Sequence, residues 1–219
     1  MMDPHQEMLE YLAFNVAVVD DFLPDFQAVR EKALAAAYDP LGGGIFETGH
    51  YSDYAGDQKS VDRIAEMLGY PLVSAGPLGM GRFCLRTAEM TMGLDIHADD
   101  CLLGGILYLN LQEQCQGGTS IFRHKATGLY AFPTEQQQEA LGLAIEPESY
   151  FDYFCKEEGL DRSKWEEIMR VEMRPNRLVL IRGRLFHSHS WLFGDCLANG
   201  RLVQLYFLNP ANDPDPGWR

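Results

Sequence analysis

The sequence contains no Cys-x-x-Cys pair, and its five cysteines (Cys84, Cys101, Cys115, Cys155 and Cys196) are scattered and odd in number. Neither a disulfide framework nor a thiolate zinc site or redox motif is therefore written into it. Reduced thiols are expected, three of them in apolar company as small core residues. Basic charge is also scarce. With 18 Lys and Arg against 32 Asp and Glu, the formal net charge is −14, which argues against nucleic acid as a partner, because such binding rests on neutralising phosphates. The acidic excess reads as solubility. Long apolar runs are missing too. The longest, such as Cys101 to Leu109, have strand length, far short of the ~20 residues of a bilayer-crossing helix, and no membrane partner is expected. The opening MMDPHQEMLEYL lacks the basic-then-apolar order of a secretory signal, so a cytoplasmic location is the expectation.

What is present suits a globular core. The 219 residues are 46% hydrophobic, enough for one sizeable domain, here read as spanning 1–219. A short apolar run, Val16 to Val19, reads as a strand and leads into an amphipathic helix, where Pro24 suits a first helical turn and Phe22, Phe26, Val29 and Ala33 share one helical face. A second helix is predicted from Gln58 to Leu68, with Gly69 placed to end it. From Gly79 the pattern turns to strands: GRFCLRTAEM, LDIHADD, LLGGILYLN and TSIFRHK, later MRVEMR, RLVLIRGRLFHS and GRLVQLYFLN. Helical signals interrupt them over about 132–168, among them a capping box at Thr134 and Gln137. The fold class that follows is mainly β with flanking helices. It is a double-sheet jelly roll, cupin-like, with a helix-rich lead-in (1–78) and a core (79–209) carrying a helical insertion.

Chemistry concentrates on histidines at strand ends. In LDIHADD, His97 and Asp99 are two apart and point to the same side of an extended backbone; Asp100 would point away. A third donor follows where RLVLIRGRLF runs into His187, with His189 on the same strand face as the alternative. Two imidazoles and one carboxylate form a facial triad that leaves three iron positions open, as binding a bidentate 2-oxo acid together with dioxygen requires. The acid's far carboxylate needs a cation, best a guanidinium. Arg201, opening the strand RLVQLYFLN, is the candidate, with Arg182 and Arg184 as substitutes.

These segments resemble the Fe(II)/2-oxoglutarate-dependent dioxygenase superfamily, and within it the prolyl-4-hydroxylase-like branch. The likeness covers about Gly79 to Asn209 and runs in order. It comprises H-x-D at His97 to Asp99, a strand ending Tyr108-Leu109-Asn110, Gly117-Gly118 followed by Thr119 and Phe122, then His187, then Arg201. The resemblance implies a double-stranded β-helix with Fe(II) at its open end and 2-oxoglutarate as co-substrate, ascorbate being an optional reductant. The implied reaction decarboxylates 2-oxoglutarate to succinate and CO2 while oxidising a C–H bond of a small molecule or a peptidyl side chain. Tyr108 and Thr119 are candidates for hydrogen-bonding the co-substrate. Arg86, Arg123 and His124 are weaker candidates for facing the substrate, and the loops Gly42 to Asp57 and Phe132 to Ile168 for shaping its pocket. Two other readings stay open: a jelly-roll protein that keeps its metal for sensing or structure and turns nothing over, and a zinc- or manganese-loaded cupin-type enzyme.

Overall fold

The computed structural model describes residues 4–39, 49–53, 56–76, 80–90 and 93–212. Much of the loop Gly42 to Asp57, including 42–48, lies outside them. Among the described residues there are four α-helices: α1 (Pro4–Asn15), α2 (Phe26–Ala35), α3 (Gln58–Leu68) and α4 (Glu135–Leu141). The strands are β1 (Val16–Val19), β2 (His50–Tyr51), β3 (Leu72–Ser74), β4 (Met80–Arg86), β5 (Leu103–Tyr108), β6 (Gly118–His124), β7 (Trp165–Glu172), β8 (Leu178–Arg182), β9 (His187–His189) and β10 (Arg201–Pro210). None of the described helices is long and apolar enough to cross a membrane.

All strand pairs are antiparallel. They form a large sheet in the order β1-β8-β5-β10-β4-β2, with β3 also on β10, and a three-stranded sheet β7-β6-β9. Strand alternation explains how the two sheets and the helices share residues. Along β10, Val203 and Leu205 join a core with Ile106, Tyr108, Val179 and Ile181 of the large sheet and Ile121 and Val171 of the small one. The intervening Leu202, Tyr206 and Leu208 pack against Phe22, Leu23 and Ala33 near α2 and Val61 and Ile64 of α3. The large sheet is thus covered on both faces, which is why β5 and β8 read as unbroken apolar runs.

Helix α3 has the predicted limits, capped by the Asp57 side chain and ended by Gly69 in the left-handed conformation. The Thr134–Gln137 capping box also forms. The lead-in, however, contributes strands β1, β2 and β3 to the large sheet besides its helices. Asn176, at φ 56° in the turn before β8, fastens it: its side chain accepts from Leu23 N (2.7 Å) and donates to Leu23 O (2.8 Å). The interruption after β6 holds α4 and a π-helical turn, Phe151–Glu157. Its Tyr150 and Phe154 pack on Phe122, Trp165 and Phe186. The strand after it begins at Trp165, ahead of the expected MRVEMR, because β7 needs the longer run to pair with all of β6.

Candidate metal centre

The H-x-D segment forms no ladder of its own. It meets β9 at a single isolated bridge, His97 opposite His187. There the two backbones exchange hydrogen bonds, His97 N to His187 O (3.0 Å) and His187 N to His97 O (2.8 Å), and Asp99 N donates to Gly183 O (2.7 Å). This reciprocal pairing brings the imidazoles together, with ring centroids 4.6 Å apart.

Each ring is oriented by a carbonyl two residues back. His97 Nδ1 donates to Asp95 O (2.7 Å) and His187 Nδ1 to Leu185 O (2.8 Å). A carbonyl only accepts, so Nδ1 carries the proton and Nε2 is the atom turned toward a metal. The two Nε2 atoms lie 3.6 Å and 3.4 Å from the Asp99 carboxylate oxygens. Among the described residues these three side chains form a donor cluster, with ligand atoms within 4.8 Å of one another. His189 is outside that cluster.

The site's electrostatics follow from burial. Burial, with His187 alongside, pushes the His97 imidazole down to about 4. Burial also disfavours the charged form of His187, but the Asp99 charge outweighs it and holds His187 above its usual range. Burial would lift Asp99, yet His187 and His97 keep it low. The carboxylate has room because β5 places a glycine, Gly104, beside it. A Cβ on Gly104 would stand 2.8 Å from Asp99 Oδ2.

Arg201 opens β10 on the inner face. Asn110 grips the backbone on either side of it, donating to Gly200 O (2.8 Å) and accepting from Leu202 N (2.8 Å). The Arg201 side chain is 2% exposed. Its Nε and Nη1 are buried without a hydrogen-bond partner, and its guanidinium carbon lies 5.6 Å from the centre of the Tyr108 ring. Tyr108 Oη and Thr119 Oγ1 are 2.8 Å apart. Across the ladder Arg201 faces Arg86, itself buried and hydrogen-bonded to Tyr51. Burial first, and the neighbouring Arg86 second, draw the Arg201 guanidinium down to about 10. His189 feels the same two cations after its own burial and is held far below its usual range. An uncompensated guanidinium in an apolar interior calls for an anion.

Other predicted residues lie elsewhere. Arg123 makes an exposed ion pair with Glu166. His124 is buried in the aromatic cluster beneath the insertion, 3.1 Å from Thr127 Oγ1 and 3.4 Å from Glu158 Oε2, with Trp165 and Phe154 around it. Arg184 donates to Phe132 O (2.7 Å) and Pro133 O (2.9 Å). The grip of Asn110 is not apparent from sequence, although Asn110 ends the strand motif Tyr108-Leu109-Asn110.

His124 gives a pH prediction. Burial lowers its folded pKa despite Glu158, so below ~6.5 the unfolded chain binds a proton that the folded one resists. Stability should fall as pH drops from 7.5 to 5.5, and the fall should be smaller in His124→Phe, as read by denaturant midpoints of the metal-free protein. An equal slope in both proteins would contradict the burial argument.

The family model described as "Family of unknown function (DUF6445)" matches residues 90–205, more than half of the chain. The chain belongs to this family. The matched stretch of the DUF6445 chain includes His97, Asp99, Asn110, His187 and Arg201. No curated protein matches its sequence. Among solved structures it is similar to SnoK, described as a non-heme alpha-ketoglutarate-dependent carbocyclase from nogalamycin biosynthesis: TM-score 0.52, 12% identity, 93% of this chain and 83% of that one covered. It is also similar to HygX from Streptomyces hygroscopicus, solved with nickel, 2-oxoglutarate and hygromycin B bound: TM-score 0.50, 13% identity, 94% and 87% covered. At such identities the likeness is one of fold, mainly antiparallel sheets with accompanying helices.

Proposed function

We propose that this DUF6445 chain is an Fe(II)- and 2-oxoglutarate-dependent dioxygenase of the prolyl-4-hydroxylase-like branch. It would be cytoplasmic, with one domain over 1–219 built on a double-stranded β-helix. The observation that carries the reading is the buried Arg201, whose Nε and Nη1 have no hydrogen-bond partner and whose charge meets no carboxylate among the described residues, on the inner face of the same core as the donor cluster. A structural metal site has no use for such a cation.

In this reading His97 Nε2, Asp99 and His187 Nε2 hold the iron, and the donor set of two imidazoles and a carboxylate suits a ferrous ion with open positions. Bound together, iron and 2-oxoglutarate would activate dioxygen, one oxygen atom ending in succinate as 2-oxoglutarate loses CO2 and the other oxidising a substrate C–H bond. Arg201 takes the distal carboxylate of 2-oxoglutarate. Tyr108 and Thr119, already sharing a hydrogen bond, offer it a hydroxyl and a wall. Apolar side chains between the sheets exclude water from the reacting centre. Support for the co-substrate also comes from SnoK, an alpha-ketoglutarate-dependent carbocyclase, and HygX, solved with 2-oxoglutarate bound. HygX also holds hygromycin B, which favours a small-molecule substrate over a peptidyl side chain.

Purified protein given Fe(II), ascorbate and 2-oxoglutarate should form succinate slowly without any prime substrate. Tight binding of both with no succinate would favour a metal-holding protein that senses a ligand and turns nothing over.

A further inference from the structure

A network behind the donor cluster joins its two halves. Arg162, in the short 3-10 turn just before β7, reaches Asp95 with two parallel bonds, Nε to Oδ2 (2.6 Å) and Nη2 to Oδ1 (2.8 Å). The same guanidinium donates to His189 O (2.9 Å) and Ser190 O (2.8 Å) at the end of β9. Ser188 Oγ closes the ring by donating to Asp95 Oδ1 (2.6 Å). The backbone carbonyl of Asp95 is the group that orients His97.

We infer that Arg162 is a positioning residue for the metal: it clamps the segment carrying His97 and Asp99 to the strand carrying His187, and so sets the spacing of their donor atoms. Backbone pairing between these segments is confined to one bridge, which leaves the side chains at Asp95, Arg162 and Ser188 as the remaining ties at this end. A planar guanidinium suits the task because it offers five donors in fixed directions, of which four bonds are used here. The clamp also fastens the helical insertion to the site, since Arg162 belongs to its last turn. A lysine could reach the carboxylate or a carbonyl, but not all at once.

The inference rests on the metal assignment proposed above, and the test separates the two. Mn(II) and Co(II) affinities would be measured by calorimetry, with the Co(II) visible spectrum as a reporter of coordination geometry. The proteins compared would be wild type, Arg162→Ala, Arg162→Lys and Asp95→Asn, with Arg123→Ala as a control that loses an exposed cation elsewhere. Loss of an outer partner of metal ligands typically costs 10- to 100-fold in metal affinity. Arg162→Ala should fall in about that range with an altered Co(II) spectrum, Arg162→Lys should recover part of the affinity, and Arg123→Ala should match wild type. If Arg162→Ala does not fold, Asp95→Asn, which keeps the carbonyl that orients His97, should show the same loss. Wild-type metal affinity and spectrum in a folded Arg162→Ala or Asp95→Asn would overturn the inference alone. Absence of metal binding by wild type would overturn the metal assignment itself.

Discussion

Replacing Arg201 by alanine is expected to weaken 2-oxoglutarate binding by at least about a hundredfold while leaving metal content nearly unchanged. The guanidinium is buried with Nε and Nη1 unpartnered, so the incoming carboxylate satisfies a cation already stripped of water. Breaking such a pair costs on the order of 3–5 kcal/mol, or roughly two to nearly four decades of affinity. Arg201→Lys should recover part of it, because charge returns without the two-pronged fork. The free protein should respond with the opposite sign. Arg201→Met removes an uncompensated buried charge and keeps most of the volume, so its melting temperature without co-substrate should equal or exceed that of wild type. The rise that 2-oxoglutarate produces in wild type should vanish in that variant. Calorimetric titration of manganese-loaded variants decides the matter. Wild-type affinity in Arg201→Ala would remove Arg201 from the site and turn attention to Arg86, which faces it across the ladder.

The second large effect concerns the donors. His97→Ala, Asp99→Ala and His187→Ala should each abolish metal binding at micromolar concentrations, whereas His189→Ala should keep most of it. Three donors from two segments define one face of the ion, and the loss of any one forfeits both affinity and geometry. His189 shares the strand face of His187 but lies outside the cluster and toward the arginine pair. Metal loss in His189→Ala with retention in His187→Ala would reverse the assignment.

The closeness of His97 to Asp99 and the limits of α3 were legible because their determinants are local. An apolar face and a terminal glycine mark α3, and two-residue spacing on an extended segment marks His97 with Asp99. Parity was legible as well, and it bears on His124. Thr119 and Ile121 of β6 belong to the core between the sheets, and His124, an odd number of residues from Thr119, therefore points to the other side. Arg123 and His124, as neighbours on a strand, could not both have faced one pocket. What stayed hidden is long-range. Nothing near Asp95 in the sequence announces Arg162, and nothing near Leu23 announces Asn176, because those bonds exist only once distant segments meet. Of the share of the lead-in in the large sheet, β1 was legible as an apolar run, whereas β2 and β3, two and three residues long, are too short to carry periodicity.

The place of β10 in the chain has a consequence for how the molecule is made. It is the last strand of the described chain, yet it lies inside the large sheet between β5 and β4. During synthesis, the strands that will flank it emerge first and wait with unpaired edges, a state prone to wrong pairing with other chains. Arg201 and the final closure of the core arrive with that late strand. Acquisition of the native state therefore waits until residues 201–210 have been made, and contacts between such distant segments slow folding. A chain stalled before residue 201 presents an open gap in its main sheet to the cell's chaperones and proteases.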